Sequence, residues 1–482
     1  MDKRDTVIVA GVGPVPLGNP NKIYAPGLRL FAFSKVLHQA GYRVIMGEAF
    51  FGEGGPPLSR SEEIETFWER RFLPLDSRKA FLEISAWLET EKTKAIVSTT
   101  DVMNNALAMI QAPVPKWMDF FGHPMVERQE ISATFHTDSG LLDQWRHILP
   151  ALLTGDHFST CSNPQRHALI GELGIAGRLN QHTSGHDLVS VILPGTMFHE
   201  PEPDGRRAFR GGNIPEDAFC VLWNGGFNTW VDEETLFEGM SRAMSKSERL
   251  HFILTGGEIK GHNEATFERF RERVASSPFA ARFHFFGWVP LNDLANFYKE
   301  ADVAINIDRF TYEGILGCRN RVYSWMYFGL PILTTSLSEN TRTLAERGLA
   351  VGFSIGNPEE LSEALLKIMS APALYRDMAE KAKEYLLKEC SYERLLQPLL
   401  TWMEQPVVAP DREGKNLYPL QDEALEMLKV PHNSLALQHL DALSRGFVHK
   451  DLSRRLEEAE AELRRIKGGR AFRWSSFLRK LL

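Results

Sequence analysis

The sequence predicts an α/β protein of two Rossmann-like, doubly wound domains with a helical C-terminal extension. Three observations carry this. A β-branched run, a glycine-rich loop, a helix and a second run open the chain from Thr6. The same order begins again at Asp217. Between the two repeats lies EPEPDGRRAFRGGNIPED, which is polar and rich in Gly and Pro, as a domain junction should be.

TVIVAGV (6–12) reads as a buried first strand, GVGPVPLGNPNKIYAPG as its loop, and LRLFAFSKVLHQAG as a helix closed at Gly41. YRVIMGEAF is the second strand, and KAIVSTT (94–100) and VPKWMDFFG (114–122) contain further strand ends. GDHFSTCS (155–162), the helix QRHALIGEL and LVSVILPG (188–195) complete a first domain over residues 1–200. The second domain is expected over 201–405. There DAFCVLWNGGFNTW (217–230) is strand and glycine turn, and DEETLFEGMSRAM is the helix after it. LHFILTGG (250–257), ARFHFFGWV (281–289), ADVAINID (301–308) and PILTT (331–335) supply later strands. PVVAPDREGKN (406–416) breaks the pattern; a linker and helical extension is expected over 406–450 and a basic amphipathic helical tail over 451–482.

With 482 residues, 43% hydrophobic and 24% charged, the chain is long enough for two or three domains with cores of their own. A net charge of −7 argues against a nucleic-acid partner. Cys161, Cys220, Cys318 and Cys390 form no CxxC pair and read as reduced, buried thiols. No apolar run is long enough for a signal peptide or a bilayer span, so a cytoplasmic protein is expected, peripheral on the inner face of the membrane at most.

GCRNRVYSWMYFGLPILTT (317–335) puts Arg319 and Arg321 at the head of a helix expected over about 319–328, with Gly329 as its stop and Pro331 barring continuation. Cations at a helix N-terminus lose about 0.3–1 kcal/mol each. A bound diphosphate would supply the missing negative charge, since arginine grips phosphate through a planar fork. An ion pair with Glu313 or Asp308 is the other reading open for these residues. Two glycine turns, Asn224-Gly225-Gly226 and Gly256-Gly257, follow consecutive strands, where ligands bind in open α/β sheets. Glu313, just upstream of the arginines, suits sugar hydroxyls. By contrast, Gly11-x-Gly13 is not a dinucleotide fingerprint, because the third glycine position is Pro16.

Through VLWNGGFNTWVDEETLFEGM, LHFILTGGE, FHFFGWVPLNDLANFYKEADVAIN, YEGI and YFGLPILTT, in that order, the second half resembles the nucleotide-sugar domain of GT-B glycosyltransferases of the family-4 type. GLRLFAFSKVLHQAGYRVIM and GDHFSTCSNPQRHALIGELGIAGRLN resemble the acceptor-side domain more loosely, and the resemblance covers residue 5 to about 400. It implies a glycosyltransferase of bacterial surface polysaccharide (O-antigen) assembly, moving sugar from a nucleotide-diphosphate donor to a glycan or lipid-linked acceptor. The donor itself is then the only small molecule needed, with no metal and no other cofactor. Donor binding is implied for Asn224, Gly225, Gly226, Gly256, Gly257, Val289, Glu313, Gly314, Arg319 and Arg321. His123, Asp119, Glu127 and Glu313 are implied as catalytic, and Gly13, Gly18 and Asp101 as an acceptor-side rim.

Two departures bear on this. The helix before Gly329 carries Ser324 where the family commonly has a second Glu, and FNTWVDEE lacks the family's basic residue after the glycine turn. A GT-B-shaped epimerase and a catalytically silent nucleotide-sugar scaffold therefore stay open, as does the stereochemical course. In the tail, residues 463–482 hold no acid, while Trp474, Phe477, Leu478, Leu481 and Leu482 share one side of a helix. That pattern suits an anionic membrane surface or a partner protein.

Overall fold

The computed structural model describes residues 4–18, 23–50, 60–196, 202–259 and 264–412. The extension beyond residue 412 and the basic tail lie outside the described residues.

The first domain is built on eight strands: β1 (Thr6–Val12), β2 (Arg43–Ala49), β3 (Ser61–Glu65), β4 (Trp68–Leu73), β5 (Thr93–Ser98), β6 (Lys116–Phe120), β7 (His157–Thr160) and β8 (Val189–Val191). Their order is β3-β4-β2-β1-β5-β6-β7-β8. All neighbours run parallel except β3, which is antiparallel to β4. β1 is buried along its whole length, which explains its continuous apolar run. Val7 and Val9 pack on one face with Phe33 and Trp117, and Ile8 and Ala10 on the other with Met103 and Met118. β3, SEEIE, buries little and ends the sheet in charge, which discourages pairing with another chain.

The second domain holds β9 (Phe219–Gly226), β10 (Leu250–Gly257), β11 (Phe283–Gly287), β12 (Val303–Asn306), β13 (Ile332–Thr335) and β14 (Val351–Phe353). The order β11-β10-β9-β12-β13-β14 is parallel throughout. Strand order reverses at β9/β12, as it does at β1/β5 in the first sheet. Crevices at such reversals, outside the carboxyl ends of the strands, are where open sheets bind ligands.

Two features of the second half of the chain depart from the sequence reading. The helix expected over 319–328 spans Arg321–Tyr327, so Arg319 lies in the loop before it and only Arg321 stands at its start. Its end is as expected. Gly329 takes φ +63°, and the amides of Leu330 and Gly329 donate to the Trp325 and Met326 carbonyls, which closes the last turn.

The second departure concerns the chain's return. After the helix Pro372–Glu389 the chain goes back to the first domain, where Thr196 pairs with Ser391. Tyr392, Leu396, Leu399 and Met403 fill the face of the first sheet that carries Val7 and Val9. The stretch read as a polar break packs on the opposite face of the same domain: Ala409 is buried in the core that holds Ile8 and Ala10, and Asp411 is ion-paired with buried Arg178 at 2.6 Å. Residues 392–412 thus belong spatially to the first domain.

Cys161, Cys220 and Cys390 are buried free thiols, and Cys318 is a half-buried one. No helix among the described residues is long and apolar enough to cross a membrane.

Candidate active site

The glycine turns at the ends of β9 and β10 lie against each other. Gly225 has φ +99° and Gly256 φ +100°, and a Cβ on Gly256 would overlap the Gly225 carbonyl, so both positions require glycine. Asn224 supports the turn from below: its amide donates to the Tyr298 hydroxyl at 3.0 Å and accepts from the Trp325 indole. Its side chain is therefore occupied, and what the turn offers a ligand is backbone.

Arg321 reaches this turn from the start of its helix. Its guanidinium carbon lies 4.2 Å from the centroid of the Trp223 ring, and Nη2 donates to the Gly226 carbonyl at 3.4 Å. Nη1 is buried and has no partner among the described residues. Burial pushes its pKa down to about 10; Asp308 works against that shift and the Arg319 cation adds to it. A cation held in this way is short of an anion.

Arg319 is held differently. Nε donates to Asp308 at 2.8 Å, and Nη1 and Nη2 donate to the two oxygens of Glu313 at 2.9 and 2.8 Å. Burial disfavours its charge, but Asp308 and Glu313 outweigh burial and raise its pKa. Of the two readings open for these arginines, the ion pair is what the structure shows for Arg319. Glu313, on the one-turn helix Tyr312–Leu316, likewise has both oxygens taken by Arg319 rather than presented to a sugar. Burial raises its pKa, and Arg319 opposes this. The same helix buries Gly314, where a Cβ would run into Leu337. Val289 is half-buried against the core that contains Phe297, and its neighbour Trp288 meets Tyr24 of the first domain, ring centroids 5.9 Å apart.

On the first-domain side Asp119 does not face the opposite domain. It is fully buried at the end of β6, held by Arg29 through two bonds of 2.7 Å and by the Ser159 hydroxyl at 2.6 Å. This corrects the catalytic role expected for it: a carboxylate with this many buried partners serves the interior of its own domain.

The next turn behaves otherwise. Gly122, with φ +88°, leaves the space that Glu127 occupies, and Gln165 holds the Phe120 and Gly122 carbonyls at 2.9 and 2.7 Å. His123 caps the helix Pro124–Phe135 and is 7% exposed. Its Nε2 lies 3.2 Å from Glu172, and its Nδ1 is buried without a partner among the described residues. Glu127 has its pKa raised to about 8 by burial, with Glu313 and Asp101 adding to the shift and Arg319 opposing it. So Glu127 of the first domain and Glu313 of the second act on each other across the interface. Asp101 accepts from the Val102 amide at 2.8 Å and Gln144 at 3.2 Å. On the remaining loop, the Gly13 amide donates to the Ala49 carbonyl and a Cβ there would overlap Glu48. Gly18 takes φ +71° with open space around it.

Three cross-domain contacts bring the two rims together. Arg309 reaches Glu130 at 2.9 Å, the Ser162 hydroxyl donates to the Leu316 carbonyl, and Asn163 donates twice to Glu339 at 2.7 Å. Sequence reasoning missed these pairs, and it missed Trp223 and Glu172. Trp223 was findable, since it immediately precedes the glycine turn; Glu172 carried no signal beyond its helix.

The comparisons with known proteins agree with this architecture. Residues 220–371 match the model of the family described as Glycosyl transferases group 1. Among solved structures, sucrose-phosphate synthase from Thermosynechococcus elongatus superposes with a TM-score of 0.65 at 16% identity, over 83% of this chain and 99% of that one. HepE of Anabaena, in complex with UDP-glucose, gives 0.58 at 13% identity over 83% and 99%. The α,α-trehalose 6-phosphate synthase of Burkholderia multivorans gives 0.56 at 10% identity over 83% and 98%. No curated protein matches the chain by sequence. Two doubly wound parallel-sheet domains, with the group 1 match on the second, define the class of fold: the chain has the two-domain GT-B architecture.

Proposed function

We propose that the protein moves a sugar from a nucleotide-diphosphate donor to a glycan or lipid-linked acceptor in bacterial surface polysaccharide assembly. The donor lies on the second domain and the acceptor on the first. The observation that carries this reading is Arg321, a half-buried cation whose buried Nη1 has no partner among the described residues, set against the glycine turns at the carboxyl ends of β9 and β10. In the reaction, the acceptor hydroxyl attacks the anomeric carbon, the bond from that carbon to the diphosphate oxygen breaks, and the nucleoside diphosphate leaves with the electron pair. Arg321 stabilises the charge that develops on the leaving diphosphate, a role that fixed positive charge can fill without a metal ion. His123 and Glu127 line the acceptor side, and the hydroxyl proton passes to one of them. HepE, whose structure holds UDP-glucose, supports a uridine nucleotide as the first donor to try.

The test is a panel of nucleotide sugars read by thermal shift, followed by assay of nucleoside-diphosphate release with transfer. A ligand at 100 times its dissociation constant adds about 2.7 kcal/mol to stability. Stabilisation by one donor and release that depends on acceptor support the reading. Release of the nucleotide without transfer, or no turnover at all, overturns it. The basic and aromatic sequence of 463–482 is proposed to hold the enzyme on the anionic inner face of the membrane. A chain ending at Lys467 that binds anionic vesicles as well as the full chain refutes that anchor.

A further inference from the structure

The Gly122-His123 turn is gripped twice by one helix. Gln165 and Glu172 stand seven residues apart on Asn163–Ile175, two turns along the same side. Gln165 fixes the backbone through the Phe120 and Gly122 carbonyls, and Glu172 meets the imidazole itself, Oε1 to Nε2 at 3.2 Å. A carboxylate accepts and does not donate, so its negative charge at this ion-pair distance favours the ring proton on Nε2. Nδ1 is left as an acceptor. It is buried, with no partner among the described residues, a condition that costs free energy unless a ligand hydroxyl completes it.

We infer that Glu172 is the positioning residue for His123: it fixes the imidazole tautomer so that Nδ1 accepts a hydroxyl of the sugar or of the acceptor. The inference rests on the reading of this interface as a sugar-transfer site. Glu172 touches no substrate; it acts through the ring. The reason to assign it this role is that a neutral imidazole without it can carry its proton on either nitrogen, and with the proton on Nδ1 the buried acceptor is lost.

The experiment compares Glu172→Gln, Glu172→Asp, His123→Ala and the double variant His123→Ala with Glu172→Gln, all in the full chain. An amide can donate to Nε2, which frees the tautomer, whereas Asp keeps an acceptor. Glu172→Gln is expected to lower kcat about tenfold or more with nucleoside-diphosphate affinity unchanged, and Glu172→Asp to retain more activity than Gln. In the His123→Ala background, adding Glu172→Gln is expected to cost nothing further, because the ring it served is gone. Equal losses in both backgrounds overturn the inference. Nitrogen-15 spectra of the histidines, with the His123 signals assigned by their loss in His123→Ala, give a readout without turnover. The wild-type ring is expected with its proton on Nε2, and the Glu172→Gln ring with a changed tautomer ratio; identical spectra overturn the inference. If the wild-type protein transfers no sugar, the functional reading fails alone and these spectra still decide the dyad.

Discussion

Arg321 lies over the Trp223 ring at 4.2 Å, while Nη1 on the same guanidinium is buried without a partner among the described residues. The ring face attracts the cation, but a ring cannot accept the remaining N–H groups. An anion at the glycine turn would supply both the countercharge and the acceptors. We predict that Arg321→Ala weakens binding of a nucleoside diphosphate by about 2–5 kcal/mol, measured by calorimetry. Unchanged affinity in the folded variant would remove Arg321 from the donor site.

Arg319 should behave in the opposite way. It neutralises Asp308 and Glu313, both buried, through three bonds of 2.8 to 2.9 Å. Removing one member of such a group strands the others and costs about 3–5 kcal/mol. Arg319→Ala is therefore expected to shift the urea midpoint strongly at constant m. A variant with wild-type stability but poor nucleotide affinity would mean that Arg319 does contact the donor.

Glu127 makes a prediction about pH. Its carboxyl is raised from the ordinary 4.5 to about 8, so the folded state holds this proton more tightly than the unfolded state does. The resulting stabilisation is complete below the unfolded value and disappears as pH rises through the folded one. Glu127→Gln cannot titrate. The stability difference, variant minus wild type, should therefore move in the variant's favour between pH 5 and 8, roughly the window those two values bracket. Urea midpoints at the two pH values test this, since titrations common to both chains cancel. A constant difference across the window would show that Glu127 stays ionised in the folded protein.

What was legible in the sequence follows from how local each cause is. β1 and β9 are continuous apolar runs ended by glycine, and Gly329 followed by Pro331 stops a helix through its own backbone, so these could be read directly. The β3–β4 hairpin was not read, because SEEIE has the charge of an edge strand rather than the apolarity of a core one. Asp119 could be placed at a strand end, but its partner Arg29 lies 90 residues earlier, and only the folded sheet reveals that its charge is already matched. The arginines divided for a similar reason. Their sequence gave two cations, while the position of Asp308 and Glu313 relative to the helix start decides which of them is left incompletely paired. Tyr392 and Leu396 could be read as helical; that their apolar side faces the other domain is a property of the chain's path.

That path supports the last prediction. Asp411 reaches Arg178 through bonds of 2.6 and 3.1 Å, and Asn180 adds a third at 3.2 Å. Both ionic partners are almost wholly shielded from water, with side-chain exposures of 0% and 1%. Nearby, Asp156 accepts from the Ala409 amide and pairs with Arg412, so the strap is fixed at two acids of unlike origin. Asp156 also accepts from the Lys116 amide, which places this strap at the amino ends of β6 and β7. The Gly122 turn follows the carboxyl end of β6, at the opposite edge of the sheet. Asp411→Ala should leave Arg178 buried without a countercharge and cost about 3–5 kcal/mol of stability. Because the loss occurs at the far edge, nucleoside-diphosphate affinity should stay at the wild-type value at temperatures where the variant is folded. Denaturation and calorimetry on the same variant separate the two effects. A stability loss below about 1 kcal/mol, the level of an exposed ion pair, would show that residues 406–412 do not hold the first domain together.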